Sequence, residues 1–144
     1  MGITNPAEQH FERGQWGFDG TLWRKLPMVW GFTDGWVGQA ANENADAGVN
    51  YLELAAIPTG EVWTAYVVSA IDVNTNPAAI SFGIYITGGR KYFWIVPSPG
   101  ANTFASWASP QIFTAGDIPS VAFEGCAAND YIVARWWGYK MAVA

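Results

Sequence analysis

The sequence predicts an all-β fold, an antiparallel β-sandwich or barrel-like domain. Three observations support this prediction. Apolar and β-branched residues alternate with a period of two, as in residues 81–86 (SFGIYI). These short runs are separated by turns rich in Gly, Pro, Asn and Asp. Between the runs there is no stretch with the length and pattern of a crossover helix, which argues against a parallel α/β sheet.

A short helix is predicted at the start of the chain. Asn5 can cap it, Pro6 suits the first helical position, and Glu8 completes a near capping-box pattern. The helix should end at Gly14 and carry Phe11 as its one large apolar anchor.

Aromatic residues alternate with turn residues after this helix. Asp19-Gly20 and Asp34-Gly35 stand between apolar flanks, and such a pair predicts a hairpin because glycine accepts the positive φ of a tight turn. Residues 1–40 hold four of the nine tryptophans, yet their turns are too close for long strands. We therefore expect residues 1–40 to form a docking arm. Its predicted interface residues are Phe11, Trp16, Phe18, Trp23, Trp30, Phe32 and Trp36.

The remaining chain divides into a linker and a sandwich domain. Residues 41–48 (AANENADA) are small and polar, which predicts a linker, and residues 49–144 are expected to form the sandwich. Strands are predicted at 49–57, 61–74, 79–87, 91–96, 111–114, 120–124 and 131–141. Trp136 and Trp137 are consecutive in the last strand, so one should face inward and the other outward.

Composition indicates contacts with other proteins. Only 13% of residues are charged whereas 16% are aromatic, a balance that suggests apolar surface buried at interfaces. The net charge is -5 and the seven basic residues are scattered, so nucleic acid is not an expected partner. The polar start does not resemble a signal peptide, and the sequence has no apolar run long enough to span a membrane.

Catalytic, cofactor and metal sites are not predicted. His10 has neither a nucleophile elbow nor a cysteine near it in sequence, and together with Cys126 it cannot complete a Cys/His zinc site. Most aspartates stand in turn contexts, where the carboxylate bonds its own backbone. A small hydrolase that uses two carboxylates is a remote alternative.

A carbohydrate-binding module is the main alternative function, including a receptor-binding role in a tail or fibre. Exposed indoles on a β-sandwich can stack on sugar rings, although they serve equally well as core or interface anchors. The candidate platform is Trp16, Trp23, Trp30, Trp36 and Trp107.

Several turn motifs resemble those of jelly-roll domains in phage virion proteins. They are residues 57–63 (IPTGEVW), Gly88-Gly89 and residues 113–118 (FTAGDI). Residues 5–11 (NPAEQHF), 16–26 (WGFDGTLWRKL) and 137–141 (WGYKM) are also similar to small phage structural proteins, and the phrase DGTLWRKL is similar to tail-fibre segments.

This resemblance implies a jelly-roll sandwich and a non-enzymatic role in a virion. The implied protein is a capsid decoration or accessory head protein, with a tail or fibre protein second. It is expected to form a homotrimer, to pack against a major capsid or other virion protein, to need no cofactor, and to be assembled in the host cytoplasm. Glycan remains a less favoured partner, and no membrane contact is expected.

Overall fold

In a computed structural model of the chain, residues 15–18, 23–26 and 34–143 are described. These residues form strands and turns without any helix, which confirms the predicted all-β class, and no membrane-crossing helix occurs among them. The predicted helix over residues 5–14 lies outside the described residues. The strands are β1 (Gln15–Phe18), β2 (Trp23–Leu26), β3 (Asp34–Ala45), β4 (Gly48–Glu53), β5 (Glu61–Asp72), β6 (Ala79–Ile86), β7 (Gly89–Pro97), β8 (Ala105–Trp107), β9 (Gln111–Phe113), β10 (Ile118–Cys126) and β11 (Asp130–Ala142).

Two antiparallel sheets form the sandwich. One has the order β4-β10-β6-β7, and the other has the order β3-β11-β5-β8, with β9 also paired to β5. Successive strands from β3 to β6 alternate between the sheets, so each sheet is built from distant parts of the sequence. Strands β1 and β2 pair antiparallel in a separate two-stranded sheet, as predicted for the first Asp-Gly hairpin.

The core lies between the two sheets and is filled by alternate residues of each strand. Trp136, Phe82 and Phe123 are its largest members, together with Phe113 and Ile80. Burial of one such side chain contributes roughly 1.5–3 kcal/mol. Trp136 is 1% exposed and Trp137 is 37% exposed, which confirms that the two indoles point to opposite faces.

Residues 34–45 belong to the sandwich, and this corrects two expectations. Asp34 and Gly35 open strand β3 and pair with Lys140 and Tyr139, so the second Asp-Gly pair is not a turn. The predicted linker begins inside the same strand, which continues to the buried Ala45. Small polar residues favour loops, but here pairing with β11 from Asp130 to Lys140 outweighs that local preference. The short strand β8 was not predicted either.

Two β-bulges face glycines on the neighbouring strands. The register of β6 and β7 shifts between Phe82 and Gly83, and a Cβ added at Gly83 would lie 2.0 Å from the carbonyl oxygen of Lys91. The register of β11 and β5 shifts between Trp137 and Gly138, where an added Cβ would lie 1.7 Å from the carbonyl oxygen of Thr64. Only glycine lets the bulged backbones approach this closely.

Candidate interaction surfaces

The predicted interface residues do not share one environment in the structure. Trp36 is buried in the core, and its indole nitrogen donates a hydrogen bond to the carbonyl oxygen of Thr64 at 3.1 Å. It is therefore a core residue, which corrects its expected place on a docking surface. Trp16, Phe18 and Trp23 lie in β1 and β2, whose backbone alone is described. Phe11, Trp30 and Phe32 lie outside the described residues.

An apolar row crosses the outer face of the five-stranded sheet. Val37 on β3 pairs with Trp137 on β11, which in turn pairs with Val67 on β5. Val37 is 68% exposed, Trp137 is 37% exposed, and Val67 is half-buried. Side chains that are paired across adjacent strands point to the same face and touch. These three residues, the Val37–Trp137 row, therefore form one continuous apolar strip.

Polar and aromatic groups border this strip. In the next row of the same sheet, the guanidinium of Arg135 donates a hydrogen bond to the side-chain oxygen of Gln39 at 3.1 Å. On the other side, Tyr66 and Tyr139 pack edge to face with their ring centres 5.7 Å apart. A small apolar centre with a polar and tyrosine-rich border is typical of protein interfaces.

The outer face of the four-stranded sheet has a floor of small residues. Its central strands β10 and β6 carry Ser120, Ala122, Ser81 and Gly83, all of which are buried. Its edge strands β4 and β7 carry the large side chains, which are Tyr51, Glu53, Arg90, Tyr92 and Ile95. The face is therefore a shallow trough with tall rims.

Arg90 crosses this trough. Its guanidinium contacts the carboxylate of Glu53 at 2.9 Å and lies 3.5 Å from the centre of the Tyr51 ring and 5.1 Å from that of Tyr85. Ser120 donates a further hydrogen bond to Glu53. Burial raises the pKa of Tyr92 above its ordinary value, and the proximity of Tyr51 adds to the rise. We call this group of Tyr51, Glu53, Tyr85, Arg90 and Tyr92 the tyrosine–arginine face.

Aromatic rings also meet where the edges of the two sheets approach each other. Trp94 on β7 and Trp107 on β8 have ring centres 4.7 Å apart, and Phe93 lies 6.2 Å from Trp107. Trp107 is half-buried, whereas Trp94 is 44% exposed. The exposed indole that was expected at Trp107 is therefore found at Trp94. Among the described residues, the Trp107 indole nitrogen has no hydrogen-bond partner.

A cleft of about 530 Å³ opens beside strand β3. Its walls include Trp36, Trp63, Leu54 and Lys140. The two indoles have ring centres 4.7 Å apart, and the Lys140 ammonium lies 5.4 Å from the Trp63 ring. The Trp63 indole donates a hydrogen bond to Glu61. The cleft thus combines an aromatic wall with charged groups, which suits a small polar ligand.

One end of the sandwich contains a buried polar cluster that was missed by the sequence analysis. Asp72 ends β5, Cys126 ends β10, and Asp130 begins β11, and all three side chains are buried. Their ligand atoms lie within 4.8 Å of one another. Burial raises the pKa of the Cys126 thiol to about 11, and the negative charge of Asp72 adds to the rise. The aspartates have neighbours typical of turns in the sequence, so only the fold brings these three residues together.

Comparison with solved structures supports the sandwich fold. The chain is similar to a chain in the acidic stable capsid of the Helicobacter pylori bacteriophage KHP30, with a TM-score of 0.50 and 18% identity over 75% of this chain and 89% of that one. A Bacillus endospore appendage protein gives a TM-score of 0.43 and 12% identity over 84% of this chain and 100% of that one. A Cellvibrio mixtus carbohydrate-binding module in complex with cellotriose gives 0.32 and 13%, over 78% and 90%.

Comparison with known families and with curated proteins gives no match for this sequence.

Proposed function

We propose that this chain is a non-enzymatic structural protein of a phage particle, of the capsid decoration or accessory head type. The observation that carries the proposal is the Val37–Trp137 row. Val37 and Trp137 are exposed and continue into the half-buried Val67, and a contiguous apolar strip of this kind marks a surface that another protein covers. The low charged fraction of 13% points in the same direction.

The fold supports this proposal. Four-stranded paths ordered β4-β10-β6-β7 and β3-β11-β5-β8, with the chain alternating between them from β3 to β6, are consistent with a jelly roll, an architecture found in virion proteins. The similarity to a KHP30 capsid chain at a TM-score of 0.50 supports the same sandwich. At 18% identity that likeness concerns the fold, so the role in a particle rests on the surface and on the motifs of the sequence.

The proposed partners are further copies of this chain and a major capsid or other virion protein. A homotrimer closed around a threefold axis would cover apolar strips such as the Val37–Trp137 row without leaving an open edge. The proposed location is the virion, with assembly in the host cytoplasm. In this arrangement the docking role expected of residues 1–40 is proposed for the part of that segment that precedes β3, and the sandwich provides contacts between copies.

Incorporation into particles tests the proposal. Particles produced by cells that encode the chain would be purified and labelled with a gold-conjugated antibody against it. We expect label on the particles, and we expect Trp137→Ser to reduce incorporation. Tyr131→Ser is the matched control, because Tyr131 lies on the same strand and is 36% exposed, close to the 37% of Trp137. Absence of label, or equal incorporation of both variants, would contradict the proposal.

Carbohydrate binding is the second candidate, and the cleft beside β3 favours it. Trp63 and Lys140 together could hold a sugar by stacking and hydrogen bonding. A glycan array with the wild-type chain and the Trp63→Phe variant separates the two functions. The structural proposal expects no bound saccharide. Specific binding that is weakened by Trp63→Phe, with the fold intact by circular dichroism, would favour the carbohydrate-binding function.

A further inference from the structure

The buried cluster at the end of the sandwich contains two carboxylates, and one oxygen of Asp72 has no hydrogen-bond partner among the described residues. Asp72 is fully buried, and its Oδ1 accepts the backbone N–H groups of Asn74 and Thr75 at 3.0 and 3.1 Å. Its Oδ2 is also buried and has no hydrogen-bond partner among the described residues. A buried carboxylate oxygen without a partner costs considerable free energy unless a cation or a proton is bound there.

Asp130 brings a second carboxylate to the same place. Its Oδ2 accepts the backbone N–H of Ala127 at 2.6 Å and a hydrogen bond from the hydroxyl of Thr75. These bonds fix the carboxylate in position at the turn between β10 and β11. Asp72 and Asp130 therefore direct two carboxylates into the same small buried space, where Asp72 Oδ2 lacks a partner among the described residues.

Cys126 supplies a sulfur ligand from the opposite sheet. It lies at the end of β10, whereas Asp72 and Asp130 lie on β5 and β11 of the other sheet. Ligand atoms that lie within 4.8 Å of one another share a point within about 2.8 Å of each. Zinc bonds of about 2.3 Å to sulfur and about 2.0–2.2 Å to oxygen would need each ligand atom to move by no more than about 0.8 Å.

We propose that Asp72, Cys126 and Asp130 bind a single divalent transition-metal ion, which is zinc. A thiolate is a soft ligand that calcium and magnesium avoid and zinc accepts, and zinc also accepts carboxylates. The bound ion neutralises the two buried carboxylates and cross-links the two sheets at one end of the sandwich. Its proposed role is to hold the two sheets together, with the fourth position of a tetrahedral site left to a ligand other than these three side chains. This inference is independent of the proposed function, and it replaces the expectation of no metal site, which considered cysteine and histidine ligands.

Cobalt spectroscopy tests the site directly. The full chain, without an affinity tag, would be stripped with a chelator and titrated with Co²⁺. Because Cys126 is the single cysteine, a thiolate-to-cobalt charge-transfer band in the near ultraviolet must come from it. We expect this band to saturate at one ion per chain, and zinc to displace it and raise the melting temperature. Absence of both the band and the zinc-induced shift in the folded wild type would overturn the proposal.

Variants locate the ion within the cluster. Cys126→Ala should abolish the band, and Asp130→Asn should weaken zinc binding by about tenfold or more. Asp46→Asn is the matched control, because Asp46 is an exposed acidic residue in the turn between β3 and β4. This variant should bind zinc with the affinity of the wild type. Unchanged zinc affinity in Cys126→Ala would also overturn the proposal. If the variants fail to fold, reversal of the wild-type band by chelator, with near-ultraviolet circular dichroism retained, keeps the test decisive.

Discussion

The guanidinium carbon of Arg90 lies 3.5 Å from the centre of the Tyr51 ring, although the two residues belong to opposite edge strands of the four-stranded sheet. Three strand spacings, about 14 Å, separate these edges. The two side chains meet because both central strands, β10 and β6, carry small residues beneath them. The contact therefore depends on all four strands of the sheet, and no short sequence motif predicts it.

Loss of Arg90 should destabilise the fold modestly. Arg90→Ala removes the cation–π contact with Tyr51 and the ion pair with Glu53, both of which are partly exposed. We expect a loss of about 1–2 kcal/mol in the free energy of unfolding, measured in urea. Arg135→Ala, which removes one exposed hydrogen bond to Gln39, should cost less than about 0.5 kcal/mol. Equal losses would show that the trough contact contributes nothing.

An alkaline titration should detect the raised pKa of Tyr92, which lies at the rim of the trough. Burial, and secondarily Tyr51, raises the pKa of Tyr92 above 10.0, so its phenol should ionise later than in the unfolded chain. Since the folded state holds this proton more tightly, its contribution to stability is lost as pH rises above about 10. Burial also raises the pKa of Tyr66, so two tyrosines should contribute to the late phase of the tyrosinate absorbance curve. Tyr92→Phe should reduce the amplitude of that phase and lessen the alkaline loss of stability. An unchanged amplitude in the variant would contradict this assignment.

The sequence predicted the strands that can be recognised from their own residues and from the turns next to them. Seven predicted runs correspond to β4, β5, β6, β7, β9, β10 and β11, because each combines period-two alternation with flanking turn residues. It missed β3, where small polar residues occupy an edge strand that is held by hydrogen bonds to β11. Pairing partners far away in sequence decide such a strand, and a local pattern does not show them.

The functional surfaces were harder to predict. The sequence predicted that Trp136 and Trp137 face opposite sides but not which of them faces outward. The Val37–Trp137 row needs the register of two strands about 100 residues apart, because Val37 is opposite Trp137. Trp36 looked like a surface anchor because aromatic residues surround it in sequence. Its burial depends on Trp63 and Thr64, which come from a different strand.

Truncation of Trp36 should therefore damage the fold itself. Trp36→Ala removes a buried indole and its hydrogen bond to Thr64, and we expect a loss of about 3–5 kcal/mol in the free energy of unfolding. Trp94→Ala is the comparison, because Trp94 is 44% exposed and its removal should cost clearly less. Thermal and urea unfolding of both variants provide the measurement. Similar stabilities would mean that Trp36 is not a core residue.

The bulge opposite Gly138 should tolerate no side chain. In Gly138→Ala the new methyl group would lie 1.7 Å from the Thr64 carbonyl oxygen, a backbone atom that cannot move without breaking the β11 and β5 pairing. We expect a loss of roughly 3 kcal/mol or more, or failure to fold. In Gly35→Ala the nearest atom lies at 3.9 Å, so that variant should be nearly neutral. Soluble yield and melting temperature compare the two.

Self-association through the Val37–Trp137 row is the last prediction. The resemblance to virion jelly-roll proteins implies a trimer, and we expect light scattering to show one at micromolar concentration. Because the row is apolar, we expect added salt not to dissociate it, since screening weakens charge pairs and leaves apolar contacts intact. Val37→Ser should shift the mass towards the monomer without loss of stability, because Val37 is 68% exposed and makes little core contact. Val49→Ser is the control, since Val49 is 52% exposed but lies on β4 of the other sheet. A wild-type monomer at micromolar concentration would contradict the oligomer. An equal effect of both substitutions would place the contact away from this row, because the two side chains share only their exposure and chemistry.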